Sequence, residues 1–204
     1  MKKIMMTLAA VAVAATMNAQ MYIGGGINFI NSTNKTNAAA ESTRTVFAIA
    51  PEFGYKLDDK LGVGIVLGFG TGKNKVENTT VNPATSVETK STTFSVKPYL
   101  RYQALTVGSF NVFVDGGLGF STTSSDNMKA AMDFALFVTP GIAYNVNEKW
   151  SIVAKLDDMF TFGYHKDAVA DVAGAPDAPS TISAGLSTGG FNLGSLTFGV
   201  YYNF

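Results

Sequence analysis

The chain repeats one pattern almost from end to end: a large apolar residue, then a small or polar one, then an apolar one again. Over residues 196–204, Leu196, Phe198, Val200, Tyr202 and Phe204 alternate with Thr197, Gly199, Tyr201 and Asn203 without a break. A period of two puts successive side chains on opposite faces of an extended strand. Eight such segments can be counted. They cover residues 21–30, 43–57, 61–71, 92–103, 110–121, 133–146, a stretch from Trp150 upward, and 196–204. The seventh loses its alternation at Asp158 before Phe160 and Phe162 restore it.

Polar runs join the segments, and they alternate in length. Long ones cover residues 31–42, 72–90, 122–132 and about 164–190; short ones cover 58–60, 104–109 and 147–149. Residues 126–132 and 167–172 could each form one helical turn within their loops. An even number of antiparallel strands, with short turns at one end and long loops at the other, is the layout of an outer-membrane barrel. A terminal strand as apolar as 196–204 would invite edge-to-edge aggregation in water. In a closed barrel in lipid, the same strand pairs with the first and leaves no edge.

The outward aromatics sort by height. Tyr55, Tyr102, Phe110, Tyr144, Trp150, Tyr202 and Phe204 fall near the short turns, and Phe29, Phe69, Phe94, Phe120 and Phe134 near the long loops. Two aromatic girdles around an aliphatic band mark a membrane barrel. A soluble β-sandwich also alternates, but its polar face would carry Lys and Glu rather than so much Gly. The expected fold is therefore all-β, an eight-stranded antiparallel up-and-down transmembrane barrel. A pattern P-x-x-x-Y recurs at Pro51–Tyr55, Pro98–Tyr102 and Pro140–Tyr144. Proline cannot donate to a ladder, so bulges or local irregularity are expected there.

Composition narrows the picture. The 204 residues suit one domain, and 15% charged residues is below the roughly 25% usual in soluble domains. Met1-Lys2-Lys3 followed by twelve largely apolar residues, 4–15, reads as a signal peptide, too short for a spanning helix. Cleavage is expected after Ala19, leaving residues 20–204 as the barrel domain; a genuine N-terminal helix is the alternative. Loss of Lys2 and Lys3 leaves 13 basic against 15 acidic residues, a net of −2, and no basic surplus that would point to nucleic acid. There is no cysteine, hence no disulfide framework and no thiol catalyst.

Almost the whole mature chain resembles the small eight-stranded outer-membrane β-barrel proteins of the OmpA-domain, OmpX and OmpW kind. The last residues, Thr197-x-Gly199-x-x-Tyr202-x-Phe204, resemble the assembly signal that such proteins present to the outer-membrane insertion machinery. The resemblance implies the outer membrane of a Gram-negative bacterium, with membrane lipid and the insertion machinery as partners, and a monomer is expected. It does not imply one function, since these families include adhesins, structural proteins, small channels and a few lipid-modifying enzymes.

The inward-facing charges are the candidate chemistry. Glu52, Lys97, Asp115, Lys155 and Asp157 lie at similar heights above the short turns and Arg101 lies lower, three negative and three positive groups in all. An eight-stranded barrel is just wide enough for side chains to fill it. The inward glycines of the third segment leave room for Glu52, Lys97 and Arg101 to reach across. The cluster is expected to satisfy itself as a salt-bridge plug, with Lys97 paired to Glu52 or Asp115; an ion path or a substrate site are the alternatives. His165, the only histidine, has no serine beside it in sequence and reads as an exposed loop residue rather than a catalytic base. One His and no Cys give no strong transition-metal site, and Asp167, Asp171 and Asp177 are spaced too loosely for a calcium loop. Gly24-Gly25-Gly26 and Gly68-x-Gly70-x-Gly72 lie in strands rather than before a helix, so they are not phosphate loops, and no cofactor is expected. The function expected is a non-enzymatic structural or surface role through the long loops. A small channel or carrier for hydrophobic or small polar solutes is the alternative, and a lipid-modifying enzyme a distant third.

Overall fold

The computed structural model describes residues 21–37, 40–78, 85–156, 159–170, 177–186 and 196–204. The expected signal peptide lies outside the described residues. Ten strands follow in order: β1 (Met21–Asn37), β2 (Ala40–Lys56), β3 (Leu61–Asn78), β4 (Thr85–Val107), β5 (Phe110–Ser125), β6 (Ala131–Asn145), β7 (Trp150–Leu156), β8 (Phe160–Lys166), β9 (Ser180–Leu186) and β10 (Leu196–Asn203). They occupy eight wall positions. β7 pairs with the lower part of β6 and β8 with its upper part, while β10 pairs with β7 and β9 with β8. Each neighbouring pair is antiparallel, and β10 meets β1 from Tyr22↔Asn203 to Gly25↔Val200 to close the ring. Among the described residues, β1 pairs with β10 no higher than Gly25.

The distribution of burial is inverted relative to a soluble protein. Glu52 and Asp115 are 5% and 2% exposed, while Phe29, Phe69, Phe94, Phe120 and Phe134 are all exposed. Side chains of that size left outside, around a wall of paired strands, require an apolar solvent. From Tyr144 to Phe134 on β6 is ten residues. At a strand rise of ~3.3 Å and a tilt of ~40°, that spans about 25 Å, the height of an outer-membrane apolar band. At the lower girdle the rings touch: Phe110 on Tyr144 at 4.8 Å, Trp150 on Tyr202 at 5.0 Å and Tyr202 on Phe204 at 5.1 Å between centroids.

The short turns are built by side chains that accept backbone N–H groups. Asp58 accepts from Lys60 and Leu61, both at 2.7 Å, and Asn147 accepts from Lys149 and Trp150, both at 2.9 Å. Between β4 and β5 the turn uses Gly108 at φ 57, a conformation that a β-carbon disfavours.

Several expected loops are in fact strand. The polar runs at 31–42 and 72–90 continue the ladder, with pairing up to Asn37↔Ala40 and Asn78↔Thr85. Thr, Ser and Asn alternating with one another keep a strand geometry but carry no hydrophobic period. β9 lies inside the expected loop 164–190; its outward residues Ile182 and Ala184 are too slight an apolar face to announce a strand. No helical turn forms at 126–132, where Asn127 at φ 59 makes a tight turn instead.

Pro51 and Pro98 bring local irregularity but do not shift the register as bulges would. Beside Pro51 the β2–β3 ladder passes from Ile49↔Phe69 to Glu52↔Val66, and beside Pro98 the β4–β5 ladder passes from Val96↔Phe120 to Tyr99↔Gly117. In each case two rungs lapse and the register resumes unchanged. A missing N–H removes a rung without adding a residue. Opposite Pro140 the case differs: Lys155 pairs Gly141 and Phe160 pairs Val138, so the strand facing β6 carries two extra residues there. An insertion of two preserves facing, which is why the apolar alternation of β7 resumes in β8.

Candidate functional site

Four charged side chains cross the barrel at mid-height. Arg101 of β4 donates from Nε to Asp115 Oδ1 at 2.7 Å and from Nη2 to Asp115 Oδ2 at 2.8 Å, a two-pronged contact between neighbouring strands. The same Nη2 reaches Glu52 Oε1 on β2 at 3.1 Å and the Tyr201 hydroxyl at 3.3 Å. From the opposite wall, Lys155 of β7 places Nζ 2.9 Å from both Glu52 oxygens and 3.0 Å from Asp115 Oδ2. Two cations and two carboxylates therefore close on one another, and their formal charges cancel.

Aromatic side chains hold the layer in place. The Tyr99 hydroxyl donates to Glu52 Oε1 in a short hydrogen bond, and Tyr22 shares a 2.6 Å hydrogen bond with Tyr99. The Arg101 guanidinium lies 4.0 Å over the Phe113 ring, and Tyr22 stacks on Tyr201 at 4.9 Å. Glycines opposite make room for these rings. A β-carbon on Gly64 would run into the Tyr99 ring, one on Gly54 into Tyr22 and one on Gly141 into Phe113. Among the described residues, no buried side-chain nitrogen or oxygen lacks a partner.

The layer separates two cavities. Below it is a space of about 50 Å³ lined by Gln103, Asn111 and Asn145. Above it is one of about 210 Å³ lined by Lys97, Phe137, Thr139 and Val153, reaching the β1–β10 seam at Gly26 and Phe198. Higher still, along the β2–β5 wall, the inward glycines of β3 leave a recess of about 520 Å³ faced with Ser91, Thr93, Ser95 and Asn74.

The structure thus brings together Glu52, Arg101, Asp115 and Lys155. Lys97 does not take the place expected for it, because Arg101 and Lys155 occupy both carboxylates; its ammonium lies 4.7 Å over the Phe137 ring, on the wall of the upper cavity. Asp157 lies outside the described residues. Of the terminal motif, Thr197, Gly199 and Tyr202 lie in β10, and Phe204 donates its backbone N–H to Met21 O at 3.0 Å.

A second polar group was not foreseen. His165 is in β8, not in a loop, and faces inward opposite Asp133 of β6. Its Nδ1 is 2.5 Å from Asp133 Oδ1 and its Nε2 is 2.9 Å from Asp167 Oδ1. Ser121 donates to the other oxygen of Asp133 at 3.1 Å, so the serine serves the carboxylate and not the ring. Carrying the alternation of Phe160 and Phe162 two residues further would have placed His165 inward beside Asp133. Among the described residues, no group of three or more His, Cys, Asp or Glu is placed to hold a metal.

A closed wall with apolar outside, charged inside and aromatic rings at two heights defines a transmembrane β-barrel. The sequence comparison makes this specific: the chain belongs to the family described as outer membrane protein beta-barrel domain, matched over residues 4–204. The protein is accordingly an outer-membrane barrel of a Gram-negative envelope. Among solved structures it is similar to the outer membrane protein OprG from Pseudomonas aeruginosa, at 14% identity and a TM-score of 0.50 over 91% of this chain and 96% of that one. Neisserial surface protein A is also similar, at 13% identity and a TM-score of 0.43 over 90% of this chain and 97% of that one. At 14% identity the likeness to OprG speaks for the fold alone. No curated protein matches the chain in sequence.

Proposed function

We propose that this barrel is a non-conducting, non-enzymatic element of the outer membrane whose working surface is its extracellular end. One observation carries the reading: Glu52, Arg101, Asp115 and Lys155 satisfy one another across the full width of the lumen. Such a layer has no net charge to attract an ion, and opening it would separate buried partners. The terminal residues Thr197, Gly199, Tyr202 and Phe204 are proposed to address the chain to the insertion machinery. Planar-bilayer recording of the purified barrel tests the closed lumen. Only rare, brief events are expected; steady openings would overturn the reading. A second reading, a small carrier, draws support from the 210 Å³ cavity directly above the layer. Liposome swelling or solute uptake through a barrel that shows no steady current would favour it.

A further inference from the structure

We propose that His165 is a pH-operated latch that fixes the chain following β8 against the neighbouring hairpin at the outer mouth. The geometry requires a particular protonation state. Both ring nitrogens lie within hydrogen-bond distance of a carboxylate oxygen, at 2.5 Å from Asp133 and 2.9 Å from Asp167. A carboxylate only accepts, so both nitrogens must carry a proton, and the ring is an imidazolium in this arrangement. A neutral ring has one donor, and its lone pair would then face the other carboxylate. One of the two contacts must break when the proton leaves.

The partners differ in how firmly they are held. Asp133 is within β6, and its second oxygen accepts from Ser121. Asp167 stands just past the end of β8, and its backbone N–H reaches Pro179 O at 3.0 Å. Asp167 is therefore the contact that gives way. The chain after it reaches the β5–β6 turn through Lys129 N to Val169 O at 2.8 Å and the bridge Met128↔Ala170. Loss of the Asp167 anchor leaves that docking to one short bridge. The charged groups facing this corner are Asp133 from β6, Asp167 and Lys166 beside the ring, and Asp126 and Lys129 in the β5–β6 turn. β9 opposes the ring with Thr181, and β5 contributes Ser121.

The site is one residue beyond the outer aromatic ring of Phe134, at the membrane surface. Hydrogen bonds to Asp133 and Asp167 raise the His165 pKa above its ordinary value. The docked form is therefore complete below about pH 6.5, the ordinary histidine value, and is lost as pH rises through the higher folded value.

His165 is the sole histidine in the chain, so its ring signals in an NMR titration need no assignment. In the full barrel in detergent micelles, the ring is expected to titrate above 6.5, with the amide signals of Lys129, Val169 and Ala170 shifting at the same midpoint. Trypsin cleavage after Lys129 and Lys166 is expected to accelerate several-fold above that midpoint. His165→Gln should cleave at the fast rate at every pH, and Asp167→Asn should lower the ring midpoint. A ring that titrates at or below the ordinary value overturns the latch, as do amides that ignore the ring's transition. The wild-type titration decides the matter even if a variant does not fold.

Discussion

Lys155→Met puts the charged layer to the most direct test. The substitution keeps the unbranched stem and removes the ammonium that bridges Glu52 and Asp115 at 2.9–3.0 Å. Arg101 alone then faces two carboxylates whose side chains are 6% and 2% exposed. Removing one partner of a buried pair costs about 3–5 kcal/mol. The 210 Å³ cavity against the layer admits water to the orphaned oxygens, which puts the expected loss at the lower end, about 3 kcal/mol. With a urea slope of ~1–3 kcal/mol/M, the unfolding midpoint should fall by about 1–3 M. The single tryptophan, Trp150, lies in the lower aromatic girdle and faces lipid, so its emission reports the loss of the folded barrel. Adding Glu52→Gln restores neutrality and lets the amide accept from Arg101 and Tyr99. The double variant should therefore be less destabilised than the two single losses together, by at least about 1 kcal/mol. A Lys155→Met barrel within about 0.5 kcal/mol of wild type, or strict additivity in the double variant, would refute an interlocked layer.

Other expectations follow from facing and contact. Lys97→Ala should lower the unfolding midpoint in the same urea assay, loss of the contact over Phe137 by itself costing about 0.5–2 kcal/mol. Gly64→Ala should destabilise by about 1–3 kcal/mol because its β-carbon meets Tyr99, whereas Gly119→Ala, where the nearest atom is the flexible Lys97 Cε at 3.4 Å, should be near neutral. Phe204→Asp should reduce heat-modifiable folded barrel in isolated outer membranes more than Asn203→Asp; equal yields would contradict the register, since Phe204 faces lipid while Asn203 bonds the inward Ser151 at 3.1 Å. Asp58 is held below its ordinary pKa by the N–H groups of Lys60 and Leu61. Its contribution is therefore present above about pH 3.9 and lost as pH falls through the lower folded value, which amide exchange of those two residues in acid should show.

What the sequence showed plainly was whatever lipid enforces. Every outward residue in the apolar band must be apolar, so residues such as Leu61, Val63, Ile65, Leu67 and Phe69 declare both strand and facing. Above the membrane that pressure disappears. Thr33, Thr43, Ser86 and Thr89 pair as regularly as the residues below them, yet nothing in their polarity distinguishes in from out. β9 escaped notice for the same reason. Inside the lumen, facing was legible but partner choice was not. Lys97 and Lys155 both point inward at comparable heights, and which of them meets Glu52 depends on the stagger between strands two or more positions apart. Arg101, expected lower, is the direct cross-strand partner of Asp115, because the register between β4 and β5 shifts at Gln103–Leu105, and its long side chain extends between the faces of Tyr22 and Tyr201 to Glu52 as well.

The wall is also uneven in height, and this bears on what the barrel is for. Beyond the outer girdle at Phe69 and Phe94, β3 and β4 run together for nine more residues, to Asn78↔Thr85. At ~3.3 Å per residue that is about 30 Å of strand outside the apolar band. β8 and β9 pass Tyr164↔Ile182 by only two residues. Exposed ion pairs such as Lys73–Glu88 at 2.8 Å add little to the tall side, since surface pairs are worth about 0–1 kcal/mol. Its order comes from the ladder itself, which continues across β1, β2, β3 and β4 with a register shift between Lys35 and Asn37 near its top. A pore would need order in the lumen and a clear path along it. Here the lumen is filled at mid-height, and the strands that continue furthest build an ordered sheet beyond the membrane. That disposition is the one expected of the proposed surface role, in which the extracellular end is the working surface.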